Sequence, residues 1–188
     1  MRKDTFFGLY VDWFICRIGV KFSIFEKKYK MNKITKILVT VAICLAVGYF
    51  SGIETRSAIL DWYPTLVKPI FNPPNWIFAP VWSLLYVLMG VAAGLVWDRI
   101  AYESEIVQKA LLIFIIQLGL NALWSYIFFG LHNPMLAGLE IILLWLMIYE
   151  SYILFAKVNK IAGYLLIPYL AWVAFAAILN ASIWWLNR

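Results

Sequence analysis

The chain has 188 residues, of which 64% are hydrophobic and only 14% are charged, and its mean hydropathy is +0.83. A soluble domain of this length needs a charged surface and cannot carry that share of apolar residues. The composition therefore excludes a soluble globular protein and indicates an integral membrane protein. The two cysteines, Cys16 and Cys44, lie in segments of different character, which argues against a disulfide framework.

The net charge of +6 is unevenly distributed along the chain. Residues 1–30 hold seven Lys/Arg and three Asp/Glu and contribute +4, whereas residues 31–188 hold nine and seven and contribute +2. In the second part the basic residues lie between apolar runs. This is the charge pattern that fixes the topology of a membrane protein, not a phosphate-binding stripe, so no nucleic-acid partner is predicted.

Residues 1–30 are basic and aromatic and contain no run long enough to cross a bilayer. We predict an N-terminal arm lying on an anionic membrane surface. The alternative is that translation starts at Met31, in which case the arm is a start-site artefact. Residues 31–188 then form a single domain.

Five apolar runs follow the arm, at residues 34–51, 76–97, 110–129, 135–156 and 161–186. Each is close to the 20 or so residues that span a hydrocarbon core. The runs are continuous rather than alternating, which argues against a membrane β-barrel. We predict an all-α membrane protein, a five-transmembrane-helix bundle. The first run also resembles a signal peptide, but no clean cleavage site of small residues follows it.

Residues 52–75 form a long polar connection between the first two spans, with four prolines that prevent a long helix. Loops of this length are functional or disordered, and the aromatic residues and prolines here favour a long ordered loop.

Basic residues predict the orientation of the bundle. Six of them (Lys33, Lys36, Arg99, Lys109, Lys157 and Lys160) fall on the side of the N-terminus and three (Arg56, Lys68 and Arg188) on the other. The positive-inside rule then puts the N-terminus in the cytoplasm and the C-terminus and long loop outside. The short loops and the lack of a targeting peptide favour a bacterial inner membrane.

Polar residues inside the spans indicate which helix faces point inward. Gln117, Asn121 and Ser125 are spaced by four and share one face, which must be buried because an unpaired amide in lipid is costly. Four tryptophans stand at span ends, where rings anchor at the headgroups: Trp76, Trp97, Trp184 and Trp185. Four others lie too deep for this role, and they either pack or line a pocket: Trp82, Trp124, Trp145 and Trp172.

Several motifs resemble the TspO/MBR family, also called tryptophan-rich sensory proteins or peripheral-type benzodiazepine receptor homologues. The most specific is residues 68–90, which read KPIFNPPNWIFAPVWSLLYVLMG. Few membrane proteins place so many Pro and Trp residues in that order. Further matches are residues 121–125 (NALWS), Asn133-Pro134, Glu140 and residues 167–176 (IPYLAWVAFA), so the resemblance covers about residues 34–186.

The resemblance implies five helices, as counted independently, and a pocket under the first loop that binds porphyrins of the protoporphyrin IX type. It also implies ligand-binding roles for Trp62, Tyr63, Trp82, Tyr86, Asn121, Trp172 and Ala176. Together with the deep residues Gln117 and Trp124 identified above, they form the predicted ligand-binding set. A flat apolar macrocycle favours aromatic walls, and its propionates favour the cations Arg56 and Lys68 at the mouth.

Three function classes follow. The favoured one is a membrane receptor or regulator for porphyrins or other apolar ligands. Another is a light-dependent porphyrin-degrading enzyme, as some bacterial family members are reported to be, which would use Trp82 and Trp172; no other catalytic residues are predicted. The third is a tetrapyrrole or sterol carrier, which an odd number of spans disfavours. The tail from Leu179 to Arg188 lacks the Tyr of the family's sterol motif.

The remaining candidates are weaker. His132, the only histidine, lies in a short turn and is predicted to be structural rather than a haem ligand, and neither a metal site nor a cofactor is predicted. Glu140 and Glu150 lie within the fourth span, where an acid is a functional candidate by default, although Glu140 is close enough to the span end to reach water. The GxxxG pattern of Gly90 and Gly94 fits a homodimer face or, as the preferred interpretation, packing within the chain.

Overall fold

A computed structural model describes residues 31–188, apart from the side chain of Glu54. Five helices in this range are long and apolar enough to cross a membrane, which confirms the predicted five-helix fold. The proposed arm at residues 1–30 and its alternative, a start at Met31, lie outside the described residues. No strand occurs between residues 31 and 188.

Helix α1 covers Lys33–Asp61, ten residues beyond the predicted end of the first span. It begins where the Asn32 side chain accepts a hydrogen bond from the Thr35 backbone N–H. The sequence prediction of a connection from residue 52 was wrong because the first proline is Pro64, and residues 52–61 contain nothing that stops a helix. The ordered loop between α1 and α2 is therefore residues 62–74, which we call the first loop.

The first loop is held at several points. A short 3-10 helix, Tyr63–Thr65, opens it, and the Tyr63 hydroxyl donates to Asn72 Oδ1 at 2.7 Å within the loop. Near the C-terminus, the side chain of Asn187 binds both backbone groups of Val67: its Oδ1 accepts from the N–H at 2.9 Å and its Nδ2 donates to the carbonyl at 2.9 Å. These contacts confirm that the loop is ordered.

Helix α2 covers Asn75–Trp97 and packs closely against the first half of α1. A Cβ atom on Gly90 would lie 2.4 Å from Val41 Cα, and one on Gly94 would lie 2.6 Å from Ile37 Cα. Both positions therefore require glycine, and Thr40 Oγ1 donates to the Gly90 carbonyl at 2.6 Å across the same seam. The GxxxG pattern serves packing within the chain, as preferred.

At the end of this seam the buried Lys36 ammonium lies 3.6 Å from the Asp98 carboxylate. Nearby, Trp97 is only 5% exposed, so the prediction that it anchors the helix at the interface was wrong. Its ring faces the neighbouring helices because it follows Ala93 and Gly90 on the buried stripe of α2. Trp76 and Trp185 are exposed, as expected of anchors.

The remaining helices complete the bundle. Helix α3 covers Ser104–Ser125 and continues into a π-helical turn, Tyr126–Gly130; α4 covers Pro134–Val158. The fifth span consists of a short helix α5, Lys160–Tyr164, and helix α6, Ile167–Leu186. The break between them follows from Pro168, which cannot donate to the Tyr164 carbonyl. The first loop, the turn between α3 and α4 and the C-terminus share one end of the bundle, called the loop end here.

Candidate functional site

A cavity of about 530 Å³ lies under the first loop. Its volume falls in the range of small-molecule sites. Four helices and the loop supply its walls, and most of the lining atoms belong to aromatic and aliphatic side chains. Among the lining residues are Tyr49, Arg56, Tyr63, Phe78, Trp82, Tyr86, Asn121, Trp124, Phe128, Trp172, Phe175, Ala176 and Asn180.

The aromatic wall is built by α2 and α6. Trp82 packs edge-on against Tyr169, with ring centroids 6.2 Å apart, and lies 5.8 Å from Tyr86. Trp172 packs edge-on against Phe78 at 6.2 Å. The two tryptophans thus line one cavity, each held by a different neighbour, and present apolar ring surface to whatever occupies it.

The floor of the cavity carries a chain of hydrogen bonds that joins α2, α3 and α6. The Tyr86 hydroxyl donates to Asn121 Oδ1 at 2.5 Å, and Asn121 Nδ2 donates to the Tyr169 hydroxyl at 3.0 Å. The Tyr169 hydroxyl in turn donates to Gln117 Oε1 at 3.0 Å. All four side chains are buried, so the prediction of an inward polar face on α3 is confirmed.

A second polar link fixes Trp124, which lies on the wall contributed by α3. Its Nε1 donates to Asn180 Oδ1 at 3.2 Å, while Asn180 Nδ2 donates to the Pro134 carbonyl at 2.7 Å. Asn180 itself lines the cavity and is 1% exposed. The indole orientation is therefore set by an amide that also ties α6 to the start of α4.

The cavity opens between α1 and α2. Its exposed lining residues lie at helical spacing on the two helices: Leu45, Tyr49 and Arg56 on α1, and Asn75, Ala79 and Ser83 on α2. Arg56 is the cation on this rim, where its guanidinium lies 5.5 Å from the centre of the Tyr49 ring.

Lys68, the other cation predicted at the mouth, does not line the cavity. Its ammonium lies 4.8 Å from the centre of the Tyr63 ring and donates to the Leu66 carbonyl at 3.3 Å. The two basic residues that sequence reasoning grouped together therefore occupy different environments.

Tyr63 closes the cavity from the loop side, since it is 3% exposed and contacts Phe128 and Phe129 of the π-helical turn. Burial raises the pKa of its hydroxyl, against the lowering effect of the bond to Asn72. Trp62 instead stacks on His132, with ring centroids 4.4 Å apart. His132 has a left-handed φ of 51° that lets it turn the chain into α4.

Seven of the nine predicted ligand-binding residues line the cavity: Tyr63, Trp82, Tyr86, Asn121, Trp124, Trp172 and Ala176. Gln117 lies behind the wall, at the end of the hydrogen-bond chain, and Trp62 lies outside it on His132. Sequence reasoning missed the wall formed by the end of α1, because it ended the first helix at Ser51. It also missed Asn180, although an amide inside an apolar span was the signal already applied to Asn121.

The model of the TspO/MBR family matches residues 40–186. The chain belongs to the TspO/MBR family. The tryptophan-rich protein TspO of Chlorobaculum tepidum is 42% identical over 158 residues, which cover 84% of this chain and 99% of that protein.

Other members of the TspO/MBR family come from distant organisms. The translocator protein of Sus scrofa is 35% identical over 137 residues, covering 73% of this chain and 81% of the relative. The tryptophan-rich sensory protein of Cereibacter sphaeroides is 36% identical over 136 residues, covering 71% and 83%. With five spanning helices, membership of this family makes the chain an integral membrane protein.

Proposed function

We propose that this protein is a membrane receptor or regulator that binds a porphyrin of the protoporphyrin IX type in the cavity under the first loop. The observation that carries the proposal is the cavity itself: about 530 Å³, walled by Trp82, Trp172 and other rings, with a few convergent polar groups. A flat apolar macrocycle gains most from such walls. The names of two relatives, translocator protein and tryptophan-rich sensory protein, agree with a ligand-responsive role.

The proposal assigns the carboxylates of the ligand to the rim. Arg56 lines the opening and is exposed, so its guanidinium can pair with a propionate while the ring system lies inside. A neutral ligand of the same shape would lack this contact.

A fluorescence titration with protoporphyrin IX tests the binding site. Saturable quenching of tryptophan fluorescence is expected for the detergent-purified protein and is expected to weaken about tenfold in Trp172→Phe, because a cavity wall loses its largest ring. Trp145→Phe is the matched control, since Trp145 does not line the cavity and donates to the Leu170 carbonyl. Absence of saturable quenching, or equal weakening in both variants, would overturn the proposal.

Arg56→Gln and Lys68→Gln form a second pair, which removes one positive charge each from the same end of the bundle. Weaker binding is expected in the first variant only, by a factor of about ten for one lost charge-assisted contact. Equal loss in both variants would mean that a diffuse field, not the rim contact, holds the carboxylate.

Illumination separates the receptor from the enzyme alternative. Trp82 and Trp172 line one cavity, which is the arrangement that light-dependent degradation of a bound porphyrin would need. A receptor returns the porphyrin intact after illumination, at the rate of loss seen in free solution. Faster loss that stops in a Trp82→Phe/Trp172→Phe variant with binding retained would establish the enzyme.

The proposed setting is a bacterial inner membrane with the N-terminus in the cytoplasm and the C-terminus and first loop outside. Six basic residues lie at the end of the bundle opposite the loop, against three at the loop end. A thiol reagent that cannot cross membranes should label Thr65→Cys in intact cells but not Tyr102→Cys. The opposite labelling pattern would reverse the topology.

A further inference from the structure

Glu140 is a buried acid that has no hydrogen-bond partner among residues 31–188. It lies on α4, six residues or about 9 Å along the helix axis from Pro134, and is 9% exposed. Both carboxyl oxygens are inaccessible, and no residue between 31 and 188 hydrogen-bonds to either of them. Of the two interpretations left open by the sequence, contact with water does not hold, because Glu140 lies on the same stripe as Ala137, Ile141 and Leu144, which faces the core.

Among the described residues, no Lys or Arg of the helices around Glu140 lies at the same depth in the bundle. The basic residues of α3 and α5, Lys109 and Lys160, belong to the opposite end. The titratable groups buried in the described core beside the cavity are hydroxyls and a thiol, whose ordinary forms are neutral: Tyr169 on α6, Tyr86 on α2 and Cys44 on α1. The Tyr126 ring at the end of α3 is exposed.

An isolated carboxylate in such surroundings would cost far more than the neutral acid, because neither a cation nor a hydrogen-bond donor compensates for its lost hydration. We propose that Glu140 is a proton-binding site inside the bundle and that Tyr169, Asn121 and Tyr86 couple it to the ligand cavity. The ligand of this site is a proton, taken up as the acid enters the core.

The coupling follows from the contacts of Tyr169. The helices that carry Glu140 and Tyr169, α4 and α6, pack against each other, and the buried Tyr169 hydroxyl accepts from Asn121, which in turn accepts from Tyr86. Tyr86 and Asn121 line the cavity, so a charge on Glu140 acts on the hydrogen-bond chain that forms the cavity floor. Loss of the proton then changes the polarity of the floor, and binding at the floor changes the proton affinity by the same factor.

The coupling also fixes the direction in which pH changes the affinity for an anionic ligand. This step rests on the proposed function. Ionised Glu140 would place a negative charge near the ligand, so affinity should fall as the pH rises and Glu140 loses its proton. We expect a decrease of about tenfold across the transition, within the usual range of coupling between sites.

Infrared spectroscopy tests the proton site without any ligand. The carbonyl stretch of a protonated carboxylic acid should be present at neutral pH, disappear in Glu140→Gln and remain in Glu150→Gln, in which a half-buried acid of the same helix is changed. Because glutamine resembles the neutral acid, Glu140→Gln should unfold at the wild-type temperature at neutral pH. A missing band, a band retained in Glu140→Gln, or a large loss of stability in that variant would overturn the proton site.

Coupling is tested first on intrinsic tryptophan fluorescence, which again requires no ligand. The emission of the cavity tryptophans should change with the same pH midpoint as the infrared band, and this change should vanish in Glu140→Gln only. A pH response that persists in Glu140→Gln overturns the coupling. Titrations with protoporphyrin IX across the same pH range then test the sign. If the infrared and fluorescence results hold and no porphyrin binds, the proposed function fails while the proton site stands.

Discussion

The same pair of helices, α1 and α2, behaves differently in its two halves. In the half away from the loop end, Gly90 and Gly94 bring the backbone of α2 against Val41 and Ile37. In the half at the loop end, the same stripe of α2 carries the large rings of Tyr86 and Trp82, whereas α1 lines the cavity with small residues that include Gly48 and Gly52. The small residues at the contact therefore lie on α2 in the first half and on α1 in the second.

This difference indicates how a bundle in lipid makes room for a ligand. Helices in a bilayer gain little from burying apolar surface against each other, so close backbone approach depends on small residues. Where Tyr86 and Trp82 stand in place of glycine on this stripe of α2, their rings occupy the space between the helices and form a wall of the cavity. The two helices are therefore in close contact in one half and line a cavity in the other.

The largest effect is expected from a substitution that prevents the close contact between α1 and α2. Gly90→Leu puts side-chain atoms where Val41 backbone already lies, so the free energy of unfolding should fall by about 3 kcal/mol. Gly119→Leu is the control, because a Cβ atom there meets no atom within 4 Å and Gly119 is exposed. Thermal unfolding in detergent measures both. Equal melting temperatures in the two variants would show that the seam is not tightly packed.

The next effect concerns the hydrogen-bond chain on the cavity floor, which begins at Tyr86, between the glycines of the tight half and Trp82 of the open half. Asn121→Leu keeps the side-chain size but leaves the Tyr86 hydroxyl without its acceptor, which should cost about 1–3 kcal/mol. The double variant with Tyr86→Phe removes the stranded hydroxyl and should recover part of that loss in the same unfolding measurement. If Tyr86→Phe adds a further independent loss, the bond does not contribute as described.

Filling the open half should affect binding more than stability. Ala176→Phe adds a ring inside the cavity, so we expect porphyrin affinity to fall by a factor of ten or more while the melting temperature changes little. Ala171→Phe places the same ring on the exposed face of α6 and should bind as the wild type does. Fluorescence quenching gives the affinities, and unchanged binding in Ala176→Phe would contradict the location of the site.

The smallest effect is a loosening of the loop at high pH. Burial raises the pKa of Tyr63, so the stability that its neutral form contributes is complete below about pH 10, the ordinary tyrosine value, and is lost as the pH rises further. Protease cleavage of the first loop should accelerate above that pH. In Tyr63→Phe the side chain cannot ionise, so cleavage should accelerate less at high pH than in the wild type. The same pH profile in both proteins would show that ionisation of Tyr63 does not cause the acceleration.

Much of the fold could be predicted because membrane spans depend on few variables. Length and continuous apolarity gave five helices, and the spacing of Gln117 and Asn121 gave the buried face of α3. The helix ends were less predictable. Apolarity ends at Ser51, but the α1 helix does not, because a helix continues into polar sequence until a residue such as Pro64 prevents it.

The candidate site was predicted less completely than the fold. Residues on the α2 and α6 motifs could be named from the family resemblance, whereas the wall from the end of α1 and the role of Asn180 depend on which helices meet. Lys68 and Arg56 illustrate the limit of sequence-based prediction. Both are basic residues near aromatic ones at the loop end of the bundle, yet only Arg56 lies on the rim of the cavity. The sequence gives the charge of a residue and its depth along a helix. The direction in which its side chain faces depends on the rotation of the helix about its axis, which is set by packing.

The walls of the cavity come from both ends of the chain, from α1 and the first loop and from α6. During synthesis, therefore, the cavity cannot exist until the fifth span has been inserted and Asn187 has reached Val67. A ligand that recognises only the finished cavity adds its binding free energy to that last assembly step. Supplying such a ligand to cells should raise the amount of assembled protein, most clearly for variants in which the last span docks poorly.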